Sequence, residues 1–233
     1  MNYELMENNK VTLMGKVVSE PKFSHEVYGE KFYELNLSVK RLSDYNDIIP
    51  ITVSEKLLGG DEFAFGKNVG VAGQFRSYNK LIDDRSKLML TVFVRDVVKF
   101  DENLNPNIIE INGYLCKPAI YRVTPFKREI CDMLLAVNRA YNKSDYLPCI
   151  AWGRNARYAK NIAVGGKVNL SGRIQSREYQ KKVSEEEILT KTAYEISVSK
   201  LSAEDIGEAS ELPLSKAYFE NNNEIYDIAE EGV

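Results

Sequence analysis

One half of this chain repeats the other. The segment LSVKR (Leu37 to Arg41) is answered by LAVNR (Leu135 to Arg139) 98 residues later, and the same offset joins Gly15 to Gly113 and Pro50 to Pro148. Further along, VGVAGQF (Val69 to Phe75) is answered by VNLSGRI (Val168 to Ile174) at an offset of 99. Order and spacing are both kept, and about a hundred residues is the size of one small domain. The repeat predicts two tandem domains of a single fold, spanning residues 1–103 and 104–202. The polar segment DENLNPN (Asp101 to Asn107), with Pro106 inside it, is the expected linker.

Within each copy the apolar residues recur with a period of two. In YELNLSVKR, Leu35, Leu37 and Val39 alternate with Glu34, Asn36, Ser38 and Lys40, so one face of an extended strand is apolar and the other polar. KVTLMGKVV and IIPITVS follow the same rule. Short alternating strands separated by Gly, Asn, Asp and Pro indicate a small all-β antiparallel barrel or sandwich. A short helix is expected at ARYAKNIA (Ala156 to Ala163), between the third and fourth strands, with EKLLGGDEFAF as its weaker counterpart in the first copy. Five strands with a helix after the third is the order of an OB-fold, so the fold class is two tandem OB-fold barrels. His25 is expected on a hairpin tip, and the SEEEI run on the solvated tip of a longer hairpin.

Charge is unevenly placed along the chain. Residues 203–233 hold nine acids and one base, Lys216, a net of −8, whereas the whole chain is only −3. The remaining body is therefore +5. Low hydrophobicity and high acidity identify 203–233 as a flexible tail. A mildly basic body suits a polyanionic partner.

Alternation also assigns the residues that can meet such a partner. In YLPCIAW, Leu147, Cys149 and Ala151 fill the interior, leaving Tyr146, Pro148, Ile150 and Trp152 outside. In KVNLSGRIQSREY, Arg173, Gln175, Arg177 and Tyr179 face outward. Tyr, Trp and Arg on an outward strand face call for a cover. Two covers fit: bases stacked on the rings with phosphates on the arginines, or a neighbouring barrel or subunit.

Other chemistries find little support. A single histidine, His25, leaves no Ser-His-Asp or Cys-His constellation beyond what that one residue could serve. FGKN and GGKV lack the upstream glycine and following Ser or Thr of a phosphate-binding loop. Cys116, Cys131 and Cys149 show no C-x-x-C pair and read as buried thiols, so neither metal nor cofactor is expected. A metal-dependent nuclease is the nearest enzymatic alternative on this fold. No segment has the length and apolarity of a membrane span or signal peptide, which predicts a cytoplasmic protein.

The second copy resembles the bacterial-type single-stranded DNA-binding protein (SSB) family. INGYLCKPA resembles the family's first strand and loop, LLAVNR its second strand, DYLPCIAWGRNA its third strand and helix entry, GGKVNLSGRIQSREY its fourth strand and AYEISVSKL its closing strand. The first copy shares NKVTLMGKVVSEPKF and GKNVGVAGQFRSY and has diverged between them. The resemblance implies binding of single-stranded DNA without strong sequence preference, in replication, recombination or repair, by a protein of the bacterial cytoplasm and nucleoid. It places base-stacking aromatics at Tyr141, Tyr146, Trp152 and Tyr179, with Arg139, Arg154, Arg173 and Arg177 beside them for phosphate.

In the first copy the matching positions are Ser43, Ile48, Ser54 and Lys80, so the stacking platform is expected to be largely missing there. Tyr45 and Tyr78 are partial substitutes, and Arg41, Lys56, Arg76 and Lys80 keep a positive face. Family members with two barrels per chain form dimers, which implies a homodimer presenting four barrels. Family tails dock replication and repair proteins through an acidic tip closed by Pro and Phe, whereas this chain ends DIAEEGV. An SSB-like accessory platform of the primosome, with weak DNA binding, is the alternative within the same fold.

Overall fold

A computed structural model of the protein describes residues 7–41, 43–82, 85–182 and 188–204. The first copy contains β1 (Asn9–Val17), β2 (Lys22–Val27), β3 (Glu30–Lys40), β4 (Asn46–Ser54), β5 (Asn68–Ile82) and β6 (Arg85–Val98). The second contains β7 (Asn107–Leu115), β8 (Ile120–Val123), β9 (Glu129–Arg139), β10 (Lys143–Trp152), the helix α1 (Arg154–Ala159), β11 (Lys167–Lys182) and β12 (Ile188–Glu204). The acidic segment from 205 onward and most of the SEEEI run lie outside the described residues.

Each copy closes into a ring of five strands. In the first the order is β1-β3-β4-β6-β5 and back to β1, with β4–β6 the one parallel pairing; in the second it is β7-β9-β10-β12-β11, with β10–β12 parallel. The extra strands β2 and β8 extend the rings as hairpin partners of β3 and β9. The period-two residues fill the interiors: Leu37, Ile49, Ile51, Phe75 and Val92 in one barrel, Leu135, Leu147, Cys149, Ile174 and Ile196 in the other, each nearly sealed from solvent. All three cysteines are buried and free, and burial pushes the Cys116 thiol up to about 12.

Three local features differ from the sequence reading. The helix exists only in the second barrel, where Ala156 and Ala159 seat it on the core. The first barrel has a single 3-10 turn at Asp61–Phe63, because a glycine pair precedes it and Phe63 alone plugs the barrel end. His25 lies within β2, and the hairpin tip is Tyr28–Gly29, both with positive φ. Strand β12 runs to Glu204, two residues past the expected end of the second barrel at 202.

The barrels are joined by more than a linker. Strand β1 pairs antiparallel with β7, with Val11 opposite Ile109. Those two residues are equivalents in the repeat, so an approximate two-fold axis passes between them, as in a symmetric dimer. The side-chain bonds obey the same symmetry. Asn9 donates from Nδ2 to the Phe75 carbonyl at 2.7 Å and accepts the Phe75 N–H at Oδ1 at 2.9 Å, and Asn107 does the same with Ile174 at 2.7 and 2.9 Å.

Across the junction, the Ser176 N–H donates to Asp47 Oδ1 at 2.7 Å and the Ile48 N–H to Ser176 Oγ at 3.0 Å. The mirror pair has Ser77 N–H on Asp145 Oδ1 at 2.8 Å and Tyr146 N–H on Ser77 Oγ at 2.8 Å. These bonds satisfy backbone donors that the barrels would otherwise bury unpaired. A matched bulge sits in each barrel, at Ala72/Gly73 against β6 and at Ser171/Gly172 against β12. A Cβ on either glycine would stand 2.2 Å from a backbone carbonyl oxygen, Phe93 O or Ser197 O, so only glycine fits.

Candidate nucleic-acid interface

The outer face of β8, β9, β10, β12 and β11 is the surface that alternation leaves uncovered. Trp152 ends β10 there, 37% exposed, opposite Ile130 of β9. Its Nε1–H donates to Ser197 Oγ at 3.3 Å, which fixes the indole edge and leaves ring surface toward solvent. Tyr179 lies further along β11, half-buried, with the Arg177 guanidinium 5.9 Å from its ring. Arg154 is exposed at the start of α1. Tyr141 projects from the β9–β10 turn, 91% exposed, where it and Asn142 both take positive φ. Trp152 and Tyr141 thus stand at opposite ends of β10, about 30 Å apart at some 3.3 Å per residue.

Several expected contacts are engaged elsewhere. Tyr146 packs against the cluster of Cys116, Leu134 and Ala136 in its own barrel, on which Leu88 of the first barrel also packs, so its ring lies at the junction. Arg41 donates from Nε to Asp47 Oδ2 at 2.8 Å and from Nη2 to the Ser176 carbonyl at 3.0 Å. Arg173 reaches the same carboxylate from the other barrel at 3.0 Å, and Arg139 pairs with Asp145 at 3.4 Å. Asp47 and Asp145 are both buried, so these arginines act as internal counter-charges between the barrels. Burial lowers the Arg173 pKa, while its hydrogen bonds to Asp47 raise that of Arg41.

On the open face of the second barrel, arginines are likewise matched by carboxylates. Arg177 Nε is 3.8 Å from Glu195 Oε1, which also accepts from Gln175 Nε2 at 2.6 Å. Arg122 Nε donates to Asp132 Oδ2 at 2.9 Å. Burial pushes the Glu195 carboxyl above its ordinary range.

The first barrel presents a different equivalent face. Lys56 is paired with Glu30 at 2.6 Å, Lys80 is exposed on the β5–β6 arm, and Tyr45 is 74% exposed in the β3–β4 turn. Tyr78 donates its hydroxyl to Glu34 at 2.9 Å, and burial together with that bond raises its pKa. Ser54, at the Trp152 position, carries no ring, as alternation and alignment predict.

The aromatic bulk has moved one strand over. Phe93 on β6 stands where the second barrel has Ser197: Thr52 lies opposite Phe93 as Ile150 lies opposite Ser197, and Ser54 is the counterpart of Trp152. Phe93 packs on Phe32 with centroids 5.5 Å apart, and His25 stacks on Phe32 at 5.0 Å with the planes 12° apart. Arg76 lies 4.0 Å above the Phe93 ring. The signal for this cluster was present in LTVFVRD, but matching the copies position by position on the third and fourth strands does not reach it.

Comparison with known proteins agrees with this geometry. Residues 106–203 match the model of the single-strand binding protein family. The chain is 27% identical over 135 residues to single-stranded DNA-binding protein 3 of Streptococcus agalactiae, an alignment covering 54% of this chain and 96% of that one. A solved structure of the wild-type single-stranded DNA binding protein from Thermus aquaticus superposes with a TM-score of 0.66 at 19% identity, over 87% of this chain and 95% of that chain. That likeness shows the fold, two OB-fold barrels in one chain. The N-terminal domain of PriB protein from Thermoanaerobacter tencongensis is 49% identical over 40% of this chain and 99% of its own, with a TM-score of 0.35.

Proposed function

Through its second barrel the chain belongs to the single-strand binding protein family, a family of non-catalytic binders of single-stranded DNA, and from that premise we propose how it holds the strand. Bases stack on Trp152 and Tyr179, and Arg154 and Arg177 neutralise the adjoining phosphates. Tyr141 serves as a further platform at the far end of β10. The observation that carries this reading is Trp152, whose indole is held by Ser197 yet keeps more than a third of its surface exposed. Stacking accepts any base, so sequence preference is weak. Arg41, Arg139 and Arg173 contribute indirectly, by fixing the barrels that carry the platform. The processes served are those that expose single strands: replication, recombination and repair.

Trp152 is the only tryptophan, so its emission reports the site directly. Oligo-dT should quench it, and Trp152→Ala should weaken binding by about 1–3 kcal/mol, the value of one stacked base. Affinity should fall as salt rises, through release of condensed counterions. Unchanged emission at saturating oligo-dT, or equal competition by duplex DNA whose base faces are hidden, removes the stacking model. A homodimer with four barrels is proposed on the same basis, since linked barrels on one strand gain avidity. Light scattering that returns the mass of a single chain would end that part.

A further inference from the structure

The Phe93 cluster has a charge distribution unlike that of the second barrel. Arg76 and Arg95 both donate to Gln74 Oε1, at 2.9 and 3.2 Å, and among the described residues neither forms an ion pair with a carboxylate. Arg76 Nε has no hydrogen-bond partner, and the guanidinium sits over Phe93. Arg95 is exposed and is the extra residue of the β6 bulge, falling between the Ala72–Asp96 and Gly73–Val94 pairs, with its guanidinium 5.9 Å from the Phe93 ring. Bulges re-aim side chains at the edges of sites. At the equivalent bulge the second barrel has Ser199, whose hydroxyl is turned to the Ser171 carbonyl at 2.9 Å.

Two guanidinium groups on a ring, with one shared amide oxygen as acceptor, form a cationic cluster that no carboxylate among the described residues pairs directly. Burial, with repulsion from Arg139 and Arg95, brings the Arg76 pKa down to about 10 despite the attraction of Asp145. An anion placed here would relieve that repulsion. Beside it, His25 is exposed and lies nearly parallel to Phe32, so its outer face extends an aromatic stack already two rings deep. A flat ring next to a phosphate is the repeating chemistry of a nucleotide.

We infer that the first barrel holds a second stacking site for single-stranded DNA, in which bases stack on His25 and the edge of Phe93 while Arg76 and Arg95 take the phosphates. The inference rests on the single-strand reading above and assigns the first barrel stacking residues that do not coincide with those of the second. The platform is shifted from the third strand to the fifth strand of the barrel, and the strand it binds follows.

The test compares two tract lengths on the intact protein. An OB-fold covers about 4–16 nucleotides, so a dT tract of about 30 can engage both barrels and one of about 8 only one. The double variant His25→Ala with Arg95→Ser alters two exposed side chains and leaves the core alone. It should weaken the long tract about 10-fold or more, while quenching of Trp152 by the short tract keeps its wild-type midpoint. Phe93→Val, which removes the ring and places a strand-favouring β-branched residue in β6, should do the same. Unchanged affinity for the long tract in the exposed double variant, with Trp152 still quenched, overturns the inference and spares the second-barrel site. Failure of wild-type protein to bind either tract removes the single-strand reading, and this inference with it.

Discussion

The two barrels share a topology, a bulge and a set of mirrored hydrogen bonds, yet the arginines of their open faces are balanced differently. In the second, Arg177 is matched by Glu195 and Arg122 by Asp132, around a protruding tryptophan. In the first, Arg76 and Arg95 share one amide oxygen over a half-buried phenylalanine. Even the order along the strand is exchanged: Gln74 precedes Arg76 in β5, and Arg173 precedes Gln175 in β11, with a 2.9 Å Arg–Gln bond in each. The backbone tolerates both arrangements because the interior side chains alone set the barrel, while the outward set is free to change.

The strongest test of the shared frame is the bulge glycine. Gly73→Ala and Gly172→Ala should each cost about 3 kcal/mol, the upper end of overpacking penalties, because each Cβ meets a carbonyl oxygen at 2.2 Å. Denaturant midpoints should fall by similar amounts; a clear inequality would show that the bulges are not equivalent.

A smaller effect separates the two junction carboxylates. Asp47 accepts from Arg41, Arg173 and the Ser176 N–H, whereas Asp145 has Arg139 at 3.4 Å and the Ser77 N–H. Asp47→Asn should cost about 2 kcal/mol and Asp145→Asn about 1, after allowing for the partial solvent exposure of the arginines. Burial raises the Asp145 carboxyl, outweighing the Ser77 bond and the arginines. Folded protein then holds this proton more tightly than unfolded protein. The stability it contributes is full below the ordinary Asp value of about 3.9 and is lost as pH rises through the raised one. Asp145→Asn should therefore cost more near pH 4 than near pH 7, as measured by urea unfolding at each. The opposite trend would mean that Asp145 is stabilised in its charged form.

The mildest measurement is the salt slope. If the open arginines of the first barrel meet phosphate, Arg76→Gln with Arg95→Ser should lower the slope of log K against log salt for a long dT tract by about 0.7 per lost contact. Arg122→Gln, already neutralised by Asp132, should leave it nearly unchanged. Equal changes would dissolve the electrostatic contrast between the barrels.

Much of this molecule was legible in its sequence. The repeat offset located the two barrels, and alternation sorted Leu37, Val39, Leu147 and Ala151 into the interior, where each is fully buried. Alternation could also say that Arg173 and Tyr146 point outward. It could not say what lies outside, and for both the answer is the junction with the other barrel. Phe93 was hidden for a different reason: it supplies bulk from a neighbouring strand, and it comes beside β4, opposite Thr52, only after β4 and β6 pair in parallel. Arg95 depended on a bulge, which shifts the side-chain count by one and has no signature in a two-residue period.

The antiparallel seam of β1 and β7 has one more consequence. In a symmetric pair of separate subunits, any substitution appears on both sides of the axis at once, and a change tolerated on one side can be excluded by its twin. Here the axis runs between Val11 and Ile109 of a single polypeptide, so each side can vary alone. The exchange of Arg and Gln, the migration of the ring from β10 to β6 and the loss of one helix each occur on one side only. Covalent fusion also makes this pairing a first-order event, independent of dilution, and withdraws both seam strands from the supply of open edges that other copies could capture. A chain built this way can specialise its halves without putting at risk the contact that holds them together.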